Sequence, residues 1–237
     1  FAHDASVIQT LVSQGYVTGE LKTGFPAERI ADPDNFISLL YYFGMTTIDG
    51  VHRGKTRFKI PNQVVREQLF NYLLETYDEV DLRFDSMEKG DLNADLAYDG
   101  KWREYFQYIA DCLTTYASQR DRLKGESFVH GFTLAMTAQN KFYRPESEKD
   151  TQGGYADIFM LPMIDIWKDM LHSYIIELKY AKGKDSDEVV ARLREEAIAQ
   201  ANRYADTEVV KRNIGMTTLH KIVVVYRGMD MVVCEEV

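Results

Sequence analysis

The sequence has few cysteines and no long hydrophobic run, and each shortage excludes a class of protein. Its two cysteines, Cys112 and Cys234, are too few and too far apart to indicate a disulfide framework or a zinc site. The five histidines are scattered and form no H-x-x-x-H pair, which argues against zinc chemistry. No stretch approaches the roughly 20 apolar residues of a membrane-spanning helix. We therefore expect a cytoplasmic protein that makes no membrane contact.

Positive charge is also scarce. The chain has 28 Lys and Arg residues against 37 Asp and Glu, a formal net charge of −9, and neither half of it is basic. A broad nucleic-acid-binding surface is therefore not expected, because phosphate binding needs a local surplus of cations. Nucleic-acid contact would depend on a local positive strip, on metal ions or on parts outside this sequence. Because Phe1 is not followed by a secretion signal, we interpret the sequence as a fragment of a longer protein.

The hydrophobic share of 45% is enough for a folded core, and the first third of the chain predicts a small module. Helices are expected near residues 7–12, 34–44 and 62–77, and strands near residues 45–48 and 56–60, joined by a polar turn at residues 49–55. The Gly- and Pro-containing residues between the first two helices are expected to be a connection. Helix, hairpin and helix in this order are typical of a winged-helix-like module.

The remainder of the chain has a different pattern. Residues 78–100 are expected to be a linker with one weak helix, and we predict domains at residues 1–85 and 86–237. Helices are then expected near residues 101–122, 125–139 and 186–206, and strands near residues 143–148, 155–160, 174–180, 221–226 and 229–235. The order of helix, three strands, helix and two strands predicts an α/β sandwich.

The strand expected near residues 174–180 contains the residues that are candidates for catalysis. Side chains two apart in a strand point to the same face, so Glu177 and Lys179 lie together between apolar neighbours. Such groups are costly to desolvate unless they are paired or functional. Asp157 offers a second carboxylate from the preceding strand. If the two strands are neighbours, Asp157, Glu177 and the carbonyl of Leu178 can hold a hard cation such as Mg²⁺ or Mn²⁺.

That arrangement predicts metal-assisted hydrolysis of a phosphodiester. The divalent ion polarises the phosphate and acidifies a bound water. Lys179 can orient or deprotonate that water, or stabilise the charge of the transition state. The alternative is structural, in which Glu177 and Lys179 form a half-exposed ion pair on the protein surface.

The sequence around these residues resembles a known superfamily. The run G-Y-A-D-I-F at residues 154–159, the 19 residues between the two acids and the run I-I-E-L-K-Y at residues 175–180 are similar to the PD-(D/E)XK nucleases. More closely, the chain resembles the nuclease-like C-terminal domain of bacterial proteins that begin with an AAA-type ATPase domain. Residues 36–44 and 60–65 resemble the winged-helix-like segment of those proteins. Further landmarks of the nuclease part are residues 125–128, Gln200 with Tyr204, and residues 213–216.

This resemblance implies a restriction-endonuclease-like mixed sheet flanked by helices, preceded by a small winged-helix-like α+β module. It implies a Mg²⁺- or Mn²⁺-dependent nuclease, with DNA as a more expected substrate than RNA. Asp157 and Glu177 would be metal ligands, Lys179 the catalytic lysine, Glu126 a helix-borne acid, and Gln200 a residue that points at the site. It also implies an ATPase domain of the same polypeptide that is missing from this chain.

Several features favour other interpretations. Tyr155 stands where many relatives have Arg, which removes a possible phosphate contact. His130, one helical turn after Glu126, is better explained as a packed histidine. The helix near residues 62–77 holds only Arg66 as a cation, which favours a packing or regulatory role over DNA recognition. The acidic charge favours a catalytically silent domain that regulates the ATPase by binding nucleic acid or protein, and a pure protein-interaction module remains a third hypothesis.

Overall fold

The computed structural model describes residues 7–12, 15–29, 32–62, 64–66, 68–69, 72–73, 86–119, 125–147 and 158–237. The chain divides into two compact units, Phe1–Thr76 and Tyr77–Val237, here called unit 1 and unit 2. The division falls among residues outside the described ranges, so the predicted domain boundary after residue 85 stays a prediction. No helix in the described ranges is both long enough and apolar enough to cross a bilayer.

Unit 1 contains a three-stranded antiparallel sheet, in which the strand Lys55–Lys59 lies between the strands Tyr16–Gly19 and Thr47–His52. Its elements are α1 (residues 7–12), β1 (Tyr16–Gly19), α2 (Phe36–Tyr42), β2 (Thr47–His52), β3 (Lys55–Lys59) and α3 (the helical residues 64–66, 68–69 and 72–73). One face of the sheet buries Val17 and Phe58, and the ring of Tyr41 on α2 packs edge-on against Phe58 with centroids 5.9 Å apart. The winged-helix assignment of this unit stays a prediction.

Two sequence-based predictions for unit 1 are wrong. The segment expected to be a connection contains β1, and the polar turn expected at residues 49–55 is a two-residue turn at Arg53 and Gly54. Both turn residues have positive φ, 49° and 78°, as the tightest hairpin turns require. The residues on either side are polar because one face of these strands is exposed, and this polarity makes them look like a loop in the sequence.

Unit 2 contains a five-stranded mixed sheet, whose strands lie side by side in the order in which they follow in the chain. Its strands are β4 (Tyr143–Ser147), β5 (Ile158–Pro162), β6 (His172–Ala181), β7 (Thr218–Arg227) and β8 (Asp230–Glu236). Its helices are α4 (Ser86–Ala94), α5 (Trp102–Gln119), α6 (Glu126–Ala138), α7 (Asp187–Ala205) and α8 (Glu208–Asn213). Among these strands β6 and β7 run parallel, and the other neighbouring pairs run antiparallel. The predicted α/β fold, a mixed sheet flanked by helices as in restriction endonucleases, is confirmed.

The predicted linker at residues 78–100 is corrected in its described part. Helix α4 continues into a π-helical turn, Asp95–Asp99, which buries Leu96 and Ala97 completely. The hydroxyl of Tyr174 on β6 donates a 2.7 Å hydrogen bond to the carbonyl of Leu96. Residues 86–99 are therefore part of the packed unit, although Asp91 and Asp99 are exposed and the composition resembles that of a linker.

Helix α7 connects the parallel strands and packs on one face of the sheet. Its buried Ala197 packs against Val223 on β7, and its buried Ala201 packs against Phe159 and Ile175 on β5 and β6. Alanine lets the helix backbone approach the strands closely, since it adds only a methyl group at the contact. The face of β6 that carries Ile175 therefore lies beneath α7.

A chain of hydrogen bonds lies on the opposite face, near the start of β6. His172 Nδ1 is 2.8 Å from His220 Nε2, and His220 Nδ1 is 2.6 Å from Glu236 Oε1. Trp102 Nε1 donates to the other carboxylate oxygen of Glu236 over 3.1 Å. The ring of Tyr174 stacks on His220 with centroids 5.0 Å apart. This histidine chain joins three strands to the start of α5.

Acid is expected to weaken the histidine chain. Burial lowers the pKa of His172, and the neighbouring His220 lowers it further, while Asp99 and Glu236 oppose the change. A lowered histidine pKa means that the unfolded chain takes up its proton first as pH falls, so stability decreases below the ordinary histidine value of about 6.5. We expect the Tm of wild type to fall more between about pH 7 and about pH 5 than that of His172→Gln. His52→Gln, exposed in unit 1, should keep the wild-type profile, and equal profiles for all three proteins would contradict the prediction.

Candidate active site

A buried ion pair lies in the middle of the sheet of unit 2. Lys179 Nζ is 2.5 Å from Glu177 Oε1, and the side chains are 14% and 1% exposed. Both residues are on β6 at odd positions, so they share the face of Ile175 beneath α7. The pair is therefore not the half-exposed surface contact that the structural interpretation of the sequence requires.

The second oxygen of the same carboxylate is the clearest sign of a binding site. Glu177 Oε2 is buried and accepts no hydrogen bond within the described part of the chain. Leaving a buried polar acceptor unsatisfied costs about 1–3 kcal/mol, and more when the acceptor is charged. Buried polar groups in native proteins are nearly always satisfied, so such an atom indicates a missing partner. A cation or a donor from a ligand would supply that partner.

Gln200 is a second buried group of the same kind. It lies on α7, three residues after Ala197 and one before Ala201, the two alanines that pack on the sheet. Its Oε1 atom is buried and has no hydrogen-bond partner among the residues that the structure describes. Helix α7 thus presents an unsatisfied oxygen from the side that packs on β6 and β7.

Glu126 begins α6 and is electrostatically linked to the ion pair. Burial raises the pKa of its carboxyl above the ordinary value, although the residue as a whole is exposed, and the positive charge of Lys179 lowers it in part. The same carboxylate contributes to the raised pKa of Tyr180, after burial as the main cause. Glu126 therefore lies close enough to Lys179 on β6 for their charges to interact. His130, one turn further along α6, is fully buried.

The other predicted ligands are placed less directly. Asp157 lies outside the described residues, so its approach to Glu177 stays a prediction. The side chain of Leu178 is buried on the other face of β6, and its backbone lies opposite Val224 in the parallel ladder. The described ranges contain no group of three or more His, Cys, Asp or Glu side chains that could hold a metal ion. Asp157 does not belong to those ranges.

One family comparison matches this unit. Residues 124–236 match the family model of the PD-(D/E)XK nuclease superfamily. The matched PD-(D/E)XK domain contains α6, all five strands of the sheet, α7 and α8, and it includes every predicted site residue. The chain matches no curated protein and no solved structure. The predicted superfamily is thus confirmed for this segment, while the ATPase fusion and the winged-helix segment remain predictions.

The carboxylate of Glu177, with one unsatisfied buried oxygen, is the kind of ligand that a hard divalent cation prefers. Nucleases of this superfamily typically use divalent metals. Mg²⁺ and Mn²⁺ prefer carboxylate and carbonyl oxygens, and Glu177 and Gln200 each offer a buried oxygen that no described residue satisfies. The nearby ammonium of Lys179 would oppose a cation only in part, because Glu177 Oε1 already neutralises it.

Two features of the PD-(D/E)XK domain were missed by sequence reasoning. The histidine chain depends on the parallel register of β6 and β7, which sets His172 and His220 near each other although they are 48 residues apart. The second feature is a cavity of about 310 Å³, lined by Arg144, Leu161, Pro162, Met163, Ile164, Asp165, Ile166, Arg212 and Asn213. No local motif marks either one, because each is assembled from segments far apart in the chain.

Proposed function

We propose that the PD-(D/E)XK domain is a divalent-metal-dependent nuclease that hydrolyses phosphodiester bonds, with DNA as the expected substrate. The observation that supports this most is the buried Glu177–Lys179 pair, in which one carboxylate oxygen has no partner in the described part of the chain. A purely structural pair would satisfy both oxygens, because an unsatisfied charged acceptor lowers the stability of the fold.

Asp157 and Glu177, with the carbonyl of Leu178, would hold the metal ion. When bound, Mg²⁺ or Mn²⁺ would polarise the scissile phosphate and lower the pKa of a coordinated water. The strand register supports the participation of Asp157: the residue after it, Ile158, pairs with Ile176, the residue before Glu177. Continuation of this antiparallel register by one residue would set Asp157 opposite Glu177.

Lys179 supplies hydrogen-bond donors and a positive charge. The contact with Glu177 Oε1 holds its ammonium in place, so the group is positioned before substrate arrives. From there it can orient the attacking water by a hydrogen bond, or donate to a phosphate oxygen as negative charge develops in the transition state. Glu126 and Gln200 act as positioning residues. Glu126 interacts electrostatically with Lys179, and Gln200 extends from the side of α7 that packs on the sheet.

The domain is further proposed to work beside an AAA-type ATPase of the same polypeptide, in the cytoplasm. The resemblance of residues 36–44 and 60–65 to the segment that separates such an ATPase from its nuclease-like domain supports this. The competing proposal is a catalytically silent domain that regulates the ATPase. The net charge of −9 favours it, because a nuclease needs cations where the substrate lies.

A cleavage assay with a matched pair of variants separates the two proposals. With Mg²⁺ or Mn²⁺ we expect wild type to cleave at least one of single-stranded DNA, double-stranded DNA and RNA. Asp157→Asn is expected to lose roughly 100-fold or more of the rate, because it removes a charged ligand from the ion that activates the water. Asp206→Asn, an exposed change after α7, should leave the rate unaltered. Absence of cleavage by wild type on every substrate, with either metal, would favour the regulatory domain.

A further inference from the structure

The exposed face of the unit 1 sheet concentrates positive charge in an acidic chain. Residues 50–60 contain four cations and no Asp or Glu, whereas the whole chain has a net charge of −9. The four cations are Arg53, Lys55, Arg57 and Lys59. They belong to the hairpin of β2 and β3, with Arg53 in the turn itself.

Strand alternation sets three of these cations in a row. Phe58 is fully buried on the inner face, so Lys55, Arg57 and Lys59 point outward, with about 7 Å between successive residues. The register places Tyr16 of β1 beside Lys59 on the same face. We call this surface the cation face, defined as Tyr16, Lys55, Arg57 and Lys59 with Arg53 at its tip.

Among the residues that the structure describes, the ion pairs of the cation face compensate only part of its charge. Asp49 Oδ2 accepts from Arg57 Nη2 at 3.0 Å, and Asp49 Oδ1 accepts from Lys59 Nζ at 2.6 Å. The guanidinium of Arg57 also lies 4.2 Å from the centroid of the Tyr16 ring. Four cations and one carboxylate give a local charge of 4 − 1 = +3. Arg53 and Lys55 are both exposed at the free end of the hairpin.

We propose that the cation face binds the phosphodiester backbone of a nucleic acid. A row of evenly spaced cations suits a polyanion that repeats its charge along a line, and binding gains free energy from the counterions that the phosphates release. An aromatic ring held beside a guanidinium is typical of surfaces that contact single strands. The choice of a nucleic acid over other polyanions rests on the proposed function. The hairpin, rather than the helix near residues 62–77, is then the element of unit 1 that contacts the substrate.

The double variant Arg53→Asn/Lys55→Gln tests the cation face without disturbing the fold. Both side chains are exposed, and Asn is among the residues that best tolerate the positive φ of position 53. Binding of a fluorescent single-stranded oligonucleotide by the full chain is measured by anisotropy over a range of salt concentrations. Divalent metal is omitted, so hydrolysis does not occur. We expect roughly tenfold weaker binding near physiological salt, and a slope of log K against log salt that is shallower by about 1.4.

Lys211→Gln/Arg212→Asn provides the matched control, since it removes the same charge from exposed positions on α8. The control should keep the wild-type affinity and slope. Equal losses in both double variants, an unchanged slope in the hairpin variant, or no binding by wild type would overturn the proposal. If the hairpin variant lost as much affinity for anionic lipid vesicles as for the oligonucleotide, the assignment to nucleic acid would be overturned.

Parallel titrations with double-stranded DNA and with RNA identify the preferred form, since the hairpin variant should lose most affinity for that form. The outcome is separate from that of the cleavage assay. If the chain binds through the hairpin but cleaves no substrate, the proposal for the cation face is supported and the nuclease proposal is contradicted. If the chain cleaves but the hairpin variant binds as tightly as wild type, the nuclease proposal is supported and the proposal for the cation face is contradicted.

Discussion

Replacement of Lys179 by methionine is expected to abolish most of the phosphodiester hydrolysis, with a loss of roughly 10²–10⁴-fold in rate. Methionine keeps most of the length of the side chain but has neither the charge nor the donors. The ammonium that Glu177 holds at 2.5 Å would then be absent from the position where the attacking water or the phosphate needs it. Initial rates at saturating Mg²⁺ on the preferred substrate measure the effect.

The same variant is expected to destabilise the PD-(D/E)XK domain. The carboxylate left behind is only 1% exposed, and an uncompensated buried charge costs about 3–5 kcal/mol when one partner of a buried pair is removed. Urea unfolding of Lys179→Met against wild type, without divalent metal, gives the difference. Lys182→Met, an exposed change three residues further on, is the matched control and should cost less than about 0.5 kcal/mol. Equal stability of Lys179→Met and wild type would show that the pair contributes nothing to the fold.

The placement of Glu177 and Lys179 at the centre of the candidate site could be predicted from the sequence because it depends on one strand. Glu177 and Lys179 are two residues apart in an apolar run, and a period of two is enough to place them on one face. No knowledge of distant residues is needed for that step. The depth of burial, which distinguishes a site from a surface pair, could not be read in the same way because it depends on how α7 covers the sheet.

The features that sequence reasoning missed depend on contacts between residues far apart in the chain, on a short strand or on an uncommon backbone conformation. The turn at Arg53 and Gly54 needs a positive φ at an arginine, which is uncommon for that residue and carries little sequence signal. Strand β1 has only four residues and no alternating pattern long enough to recognise. The contact of His172 with His220 exists only because β6 and β7 are parallel and in this register.

The unit 1 hairpin shows how a net charge can mislead. A charge of −9 argues against nucleic-acid binding when it is averaged over the chain, yet four cations without an acid occur within residues 50–60. Strand alternation then collects three of them on one surface, about 7 Å apart, as a straight row. The relevant quantity is therefore the charge on one face of one element, which requires the strand boundaries that the sequence did not reveal.

Glu177→Gln is expected to remove most of the divalent-cation binding of the domain, with a smaller loss of stability than Lys179→Met. Glutamine keeps the shape of the side chain and loses the charge that would hold the ion. The ammonium left behind in this variant is 14% exposed and reaches solvent more easily than the carboxylate does. Removal of the more buried partner therefore leaves the less costly charge.

Thermal unfolding with and without Mg²⁺ or Mn²⁺ measures this directly, without any substrate. A ligand that binds only the folded state adds about 2.7 kcal/mol of stability at 100 times its Kd. Wild type should gain Tm with the cation, and Lys179→Met should gain more, because the ion then also compensates an otherwise unpaired carboxylate. Glu177→Gln should gain little, and Glu196→Gln, exposed on α7, should follow wild type. If Glu177→Gln gained as much Tm from the cation as wild type, the carboxylate would not be a metal ligand, and its unsatisfied oxygen would have to face a different partner.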